Sequence, residues 1–313
     1  MKLRVDFVDF YKELNKENNF FINILREVCD VEVSNNPDLI FYSNYGVDNL
    51  KYSCYKIFYS AENIRPDYRF CDFSLTFDYL DDKRNFRLPL YCIHLKDFNS
   101  FVKEKNLGVR PKNKFCNFVY SNEKAKERIE FFKILSKYKK IDSPGKVLNN
   151  MPTSFSGIRY DYKSKLEFLS NYKFTIAFEN ESYPGYTTEK IIHPLLVGSI
   201  PIYWGNPMIA EDFDENLFIN VHNFQSFEEV VERVIEIDMD RNKSMEFLPD
   251  SSNFEKILNG FEVQLTDFFE FVVSNMHQSP SISSSFLGRN RRIFELFSMR
   301  GKNALIKFNK LFR

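Results

Sequence analysis

At 313 residues the chain is long for one hydrophobic core and fits two domains. Hydrophobic residues make up 43% of it and phenylalanine alone numbers 35, enough apolar surface for two cores, which excludes a largely disordered chain. The 43 basic and 43 acidic side chains cancel, which excludes a global binder of nucleic acid or another polyanion.

The first half predicts short strands alternating with helices. Residues 3–10 alternate like a strand, 17–28 carry helical spacing, and 38–42 form an apolar run that ends in the turn-rich Ser43-Asn44-Tyr45-Gly46. Residues 56–59 and 73–77 are two further strands. This rhythm predicts a parallel sheet with crossover helices. Residues 101–114, with Gly108, Pro111 and four lysines, read as a linker. Beyond it come a strand at 115–120, an amphipathic helix at 123–137, a Gly/Pro/Asn/Ser loop at 141–156 and a strand at 173–178. A helix at 188–197, a strand at 199–204 and a helix at 227–237 follow, so the second half repeats the βαβ logic of the first. Two such domains place ligands at the carboxyl ends of their sheets.

Five cysteines, Cys29, Cys54, Cys71, Cys92 and Cys116, form an odd set without a CxxC pair, a pattern expected of reduced, buried thiols. The N-terminus lacks the apolar core of a signal peptide and no run of 18 apolar residues occurs, so a cytoplasmic location is expected.

The segment AFENESYPGYTTEKI, residues 177–191, is the most informative. It joins a strand end to a helix opening near Thr188, with Glu189 and Lys190 in the first turn. A helix N-terminus presents free N–H groups and partial positive charge, a natural place for a phosphate. Lysine opposes that dipole, so a nearby anion would explain Lys190. The alternative is that Thr188 is only an N-cap and Lys190 a solvated side chain.

The string Phe178-Glu179-Asn180, then Thr188-Glu189-Lys190-Ile191, then Ile200-Pro201-Ile202-Tyr203-Trp204-Gly205, resembles the donor-site signature of the family 10 glycosyltransferases, the α1,3/α1,4-fucosyltransferases, and above all their bacterial members. Upstream, Ser60-Ala61-Glu62-Asn63 resembles the segment bearing the family's general base, and DFSLTFD at 72–78 the strand after it. Phe118-Val119-Tyr120-Ser121-Asn122 with Arg128 resembles the family's strand, turn and phosphate-binding arginine. The resemblance spans about residues 38–240.

It implies an α/β fold of GT-B type, two Rossmann-like domains facing a central cleft: an acceptor-side domain at 1–110, a nucleotide-sugar domain at 111–275 and a basic amphipathic tail at 276–313. It implies inverting transfer of L-fucose from GDP-β-L-fucose to a glycan hydroxyl, expected to be the 3-OH of GlcNAc or glucose. Alternatives are another nucleotide-sugar donor on the same fold, or a non-catalytic nucleotide- or glycan-binding protein. In-line displacement needs one base and positive charge for the leaving diphosphate. The resemblance gives the base to Glu62, the clamp to Arg128 and Lys190, donor hydroxyls to Glu189, and the pocket lining to Ser121, Asn122, Asn180 and Tyr186. Taken alone, Glu62 reads as a turn residue, Arg128 as a solvated helix position and Tyr186 as packing, while Glu179 fits a structural role holding loop N–H groups.

No cofactor or metal is expected. Asp238-Met239-Asp240 is formally a D-x-D, but it ends a helix and reads as a solvated terminus, and His94, His193, His222 and His277 lack ligand spacing. From 289 to 313 eight basic residues stand against the single acid Glu295. With interspersed Phe, Leu and Ile, residues 286–313 suit either an interfacial helix drawn to anionic lipid, on the inner face of the membrane, or a terminal helix packed on the body. A glycan acceptor is the expected partner besides GDP-fucose, and nucleic acid is not.

Overall fold

A computed structural model describes residues 2–152, 161–247 and 251–276 of the chain. All but Met276 of the expected tail lies outside the described residues. The chain divides into two compact units, one of residues 2–76, 80–87 and 262–276, the other of 77–79 and 88–261.

The first unit holds a six-stranded parallel sheet: β1 (Leu3–Val8), β2 (Val31–Val33), β3 (Leu39–Tyr42), β4 (Tyr55–Tyr59), β5 (Phe73–Thr76) and β6 (Asn85–Arg87), in the order β2-β1-β3-β4-β5-β6. β3, β4 and β5 are buried along their whole length, as strands covered on both faces must be. On one face Phe41 packs against Phe7, Phe21 and Phe269; on the other, Ile40, Tyr42, Phe58 and Cys71 cluster. Helix α1 (Phe20–Val28) starts three residues later than its apolar spacing predicts, because the Asn19 side chain accepts the Phe21 and Ile22 N–H groups at 3.1 Å and caps it there. It buries Phe21, Ile22, Ile24 and Leu25.

The second unit holds helix α2 (Leu90–Lys105) and a five-stranded parallel sheet of β7 (Lys114–Asn117), β8 (Ile141–Asp142), β9 (Tyr172–Phe178), β10 (Ile200–Trp204) and β11 (Ile219–Asn220), in the order β11-β10-β9-β7-β8. Its helices are α3 (Lys126–Leu135), α4 (Tyr162–Leu169), α5 (Glu189–Leu196), α6 (Phe227–Met239) and α7 (Arg241–Met245). A last helix, α8 (Ser251–Asn275), runs from this unit into the first. The core unites Phe118, Phe131, Phe174, Phe178, Ile202 and Val234.

Helix α2 corrects the expected linker at 101–114. It packs against α4 and α5, and the long stretch of the second compact unit that contains it starts at residue 88. Its buried Tyr91, Cys92, Leu95, Phe98, Phe101 and Val102 recur at helical spacing, and Asn106 ends it in the left-handed region. The lysines of the supposed linker also have work within the fold. Lys112 Nζ donates to the carbonyls of Ser170 and Val197, just past the C-termini of α4 and α5, and burial pushes its ammonium down to about 8.

Both sheets share one topology. Strand order reverses between β1 and β3 in the first and between β7 and β9 in the second, and ligands of open α/β sheets bind beyond the carboxyl ends of the strands at such a reversal. The segments following those strands, 9–11 and 43–49 in one unit and 118–122 and 179–188 in the other, are therefore where function is expected.

Candidate functional site

In the second unit β9 ends at Phe178 and delivers Glu179, a fully buried carboxylate. Its Oε1 accepts the Thr188 N–H at 2.7 Å and the Thr188 hydroxyl at 2.8 Å, and its Oε2 accepts from Lys190 Nζ at 2.9 Å. Lys190 also donates to Thr188 Oγ1 at 2.8 Å. The anion that the first-turn lysine called for is thus supplied by the chain itself, so Lys190 is no freely solvated side chain. Burial pushes its ammonium down, but Glu179 and Glu189 outweigh that and hold it above its usual value. Some 15% of the side chain still reaches solvent, so it retains an open face.

Arg128 corrects the reading of a solvated helix position. On α3, it is 1% exposed. Its Nη2 donates to the Glu179 carbonyl at 2.6 Å and the Asn180 side chain at 2.7 Å, and its guanidinium lies 4.1 Å from the Tyr120 ring centroid. Tyr120 is held in turn by β9: its hydroxyl donates to the Ile176 carbonyl and accepts the Phe178 N–H, both at 2.8 Å. The Nε of Arg128 is buried without a partner among the described residues. Glu189 opens α5, and Lys165 on α4 approaches it to 3.9 Å. Burial pushes its carboxyl up, yet Lys190, Lys165 and His193 hold it well below the usual carboxylate range. Lys190 and Lys165 therefore pair with Glu179 and Glu189 beside a helix N-terminus, while Arg128 reaches the same turn through the Glu179 carbonyl and Asn180.

Of the other expected pocket residues, Ser121 and Asn122 are half-buried beyond β7, where Asn122 Oδ1 accepts the Lys124 N–H at 3.0 Å in a tight turn. Tyr186 is buried edge-on against Phe77, with ring centroids 5.2 Å apart.

Sequence reasoning missed the bracket that shapes this loop. Asn206, fully buried just past β10, accepts the Gly185 N–H at 2.7 Å and the Met208 N–H at 2.9 Å, donates to Thr187 Oγ1 at 3.0 Å, and gives its own N–H to the Tyr203 hydroxyl at 3.0 Å. Gly205 must be glycine, because φ is +156° and an added Cβ would sit 2.5 Å from Glu179 Cγ. The Gly-Asn-Pro turn after a strand was the available signal.

In the first unit, Glu62 lies just beyond β4 and is exposed. Among the described residues no hydrogen bond or ion pair holds its carboxylate; its backbone N–H donates to Ser60 Oγ at 3.1 Å.

Asp238 departs from the expected solvated terminus. Its side chain is 9% exposed, accepts from the Tyr138 hydroxyl at 3.0 Å and pairs with Lys139 and, at 3.4 Å, Lys173, so it ties α6 to neighbouring segments. Asp240 caps α7. No group of three metal-ligating side chains occurs among the described residues, and none of their helices is long and apolar enough to cross a membrane. None of the five cysteines forms a disulfide among the described residues, and Cys71, Cys92 and Cys116 are buried. Burial pushes the Cys54 thiol up to about 11 and that of Cys71 to about 12, which leaves both unreactive.

Two family models match the chain: the alpha-(1,3)-fucosyltransferase FucT N-terminal domain over residues 5–94, and the C-terminal region of glycosyltransferase family 10 (fucosyltransferase) over residues 109–268. The alpha-(1,3)-fucosyltransferase FucT of Helicobacter pylori is 31% identical over 273 residues, a match covering 74% of this chain and 56% of that protein. The chain thus spans little more than half the length of this curated relative. A crystal structure of an alpha1,3-fucosyltransferase superposes with a TM-score of 0.72 at 27% identity, covering 90% of this chain and 93% of the other. Another, of an alpha1,3-fucosyltransferase with GDP-fucose, superposes at 0.68 with 28% identity over 85% and 90%. Two parallel-sheet units of GT-B type, with both family models matched in order along the chain, place this protein in glycosyltransferase family 10, the fucosyltransferases.

Proposed function

We propose that the chain transfers L-fucose from GDP-β-L-fucose to a hydroxyl of a glycan, with inversion. The observation that carries this reading is the convergence of Arg128 and Lys190 on Glu179 at the carboxyl end of β9, beside the N-terminus of α5. Glu62 takes the proton of the acceptor hydroxyl as its oxygen bonds to the anomeric carbon. The bond from that carbon to the diphosphate breaks, and GDP leaves with the electron pair. Lys190, through its open face, and Arg128 stabilise the charge that develops on the diphosphate. Glu189 accepts from donor hydroxyls, while Ser121, Asn122, Asn180 and Tyr186 shape the pocket. These cations supply the positive charge, so no cofactor enters the step.

The family supports fucose as the sugar, as does the GDP-fucose carried by the 28% identical relative. The 3-hydroxyl of GlcNAc or glucose is the acceptor position we infer. The basic composition of residues 286–313 supports action at the inner face of the cytoplasmic membrane.

A donor panel tests the reading. GDP-fucose is expected to yield GDP in an acceptor-dependent reaction, while GDP-mannose and UDP-sugars do not. Release of nucleotide only from a sugar other than fucose would overturn it.

A further inference from the structure

The first sheet reverses its order between β1 and β3, and the chain builds an unusual corner beyond these strands. Asp9, the residue after β1, has φ +60°, a conformation that non-glycine residues seldom adopt. Held there, its carbonyl accepts the Tyr45 N–H at 3.1 Å, and its two carboxylate oxygens accept the Asp48 and Asn49 N–H groups at 2.8 Å each. Gly46 sits inside this bracket, where a Cβ would meet Asp9 Oδ1 at 2.2 Å. The loop 45–49 is thus pinned along its length. Asn44 links it to the loop bearing Glu62: its Oδ1 accepts from Ser60 Oγ at 3.1 Å, and Ser60 Oγ in turn accepts the Glu62 N–H.

On this corner the chain exposes two aromatic rings, Tyr45 at 58% and Tyr11 at 51%. A scattered exposed ring needs no explanation, but one set on a loop held by a strained residue, at the sheet's reversal and tied to a free carboxylate, does. A tyrosine offers rigid amphipathic contact, an apolar face with a polar tip, at little entropic cost. A hexopyranose has the matching form, with a C–H face and a rim of hydroxyls.

We propose that Tyr45, with Tyr11 beside it, forms the acceptor subsite, on which the C–H face of a hexopyranose lies while one ring hydroxyl points to Glu62. The inference rests on the reading of Glu62 as base. Partial burial, then Glu62 and Tyr11, hold the Tyr45 hydroxyl above its usual value, in keeping with three groups that share one edge.

The test uses the full chain saturated with GDP and reads direct binding of N-acetyllactosamine, lacto-N-biose and lactose by saturation-transfer NMR, beside GDP affinity by calorimetry. The wild-type chain binds at least one of these glycans saturably. Tyr45→Ala weakens that binding about tenfold or more, the loss expected of an aromatic anchor, while Tyr45→Phe keeps it within about threefold. GDP affinity is unchanged in all three proteins. Because binding is read without transfer, a chain that holds glycan through Tyr45 yet releases no GDP from GDP-fucose would remove the donor reading and leave the subsite standing. Absence of saturable glycan binding by the wild type would overturn the subsite. So would a Tyr45→Ala affinity within about twofold of wild type, or GDP affinity falling in step with glycan affinity.

Discussion

At the carboxyl edge of the second sheet charge is buried and held by the chain itself: Lys190 pairs with Glu179, Glu179 accepts from Thr188, Arg128 donates to the Glu179 carbonyl, and Gly205 and Asn206 close the bracket around them. At the equivalent edge of the first sheet the strand order is the same, but Glu62, Tyr45 and Tyr11 face water, and only the backbone beneath them is pinned. The difference matches the two tasks proposed. A diphosphate needs fixed charge in a low-dielectric setting, which the fold must build into its core. A base and a stacking ring need access to an incoming hydroxyl, which burial would deny them. The second edge should therefore couple function to stability, and the first should not.

The largest expected effect on stability falls at Glu179. Glu179→Ala leaves the Lys190 ammonium and the Thr188 N–H without their buried acceptor, and should cost about 3–5 kcal/mol in denaturant unfolding. A loss no larger than that of a surface substitution would break the comparison. Asn206→Ala should cost less, about 1–3 kcal/mol, because it strands the Gly185 and Met208 N–H groups, and loop 183–188 should lose protection in amide exchange. Smallest is the response to acid. Glu189 and Asp238 are held below the usual carboxylate range, Glu189 against its burial by Lys190 and Lys165, and Asp238 against its burial by Lys139 and Tyr138. The unfolded chain binds the extra protons as pH falls, so this stability is complete above the ordinary carboxylate range and is lost as pH descends through the depressed folded values. Unfolding titrated from pH 7 to about pH 3 should show that decline, and Glu189→Gln should flatten it.

Much of the frame is visible in the chain because long apolar runs leave few choices: residues 38–42, 173–178 and 199–204 became β3, β9 and β10 with shifts of one residue at most. Strands β2 and β6, three residues each, are too short for alternation to register. Helix α2 escaped because Pro89 opens it without a side-chain cap. At the site, Lys190 announced an anion through its conflict with the helix dipole, but its partner lies 11 residues away across a turn and the alternative, phosphate, is as consistent with sequence. Arg128 gave no sign of burial, because its partners come 51 and 52 residues later through the β7–β9 pairing. Nor does an Asp following a strand reveal the left-handed turn at Asp9, which tertiary hydrogen bonds impose.

The most direct measurement is turnover, GDP affinity and melting temperature for Glu62→Gln. The account predicts that transfer from GDP-fucose falls about 10²–10⁴-fold, the contribution of a general base, while GDP affinity and melting temperature stay at wild-type values. Near-normal turnover would contradict it, and so would a loss of rate that tracks a loss of stability.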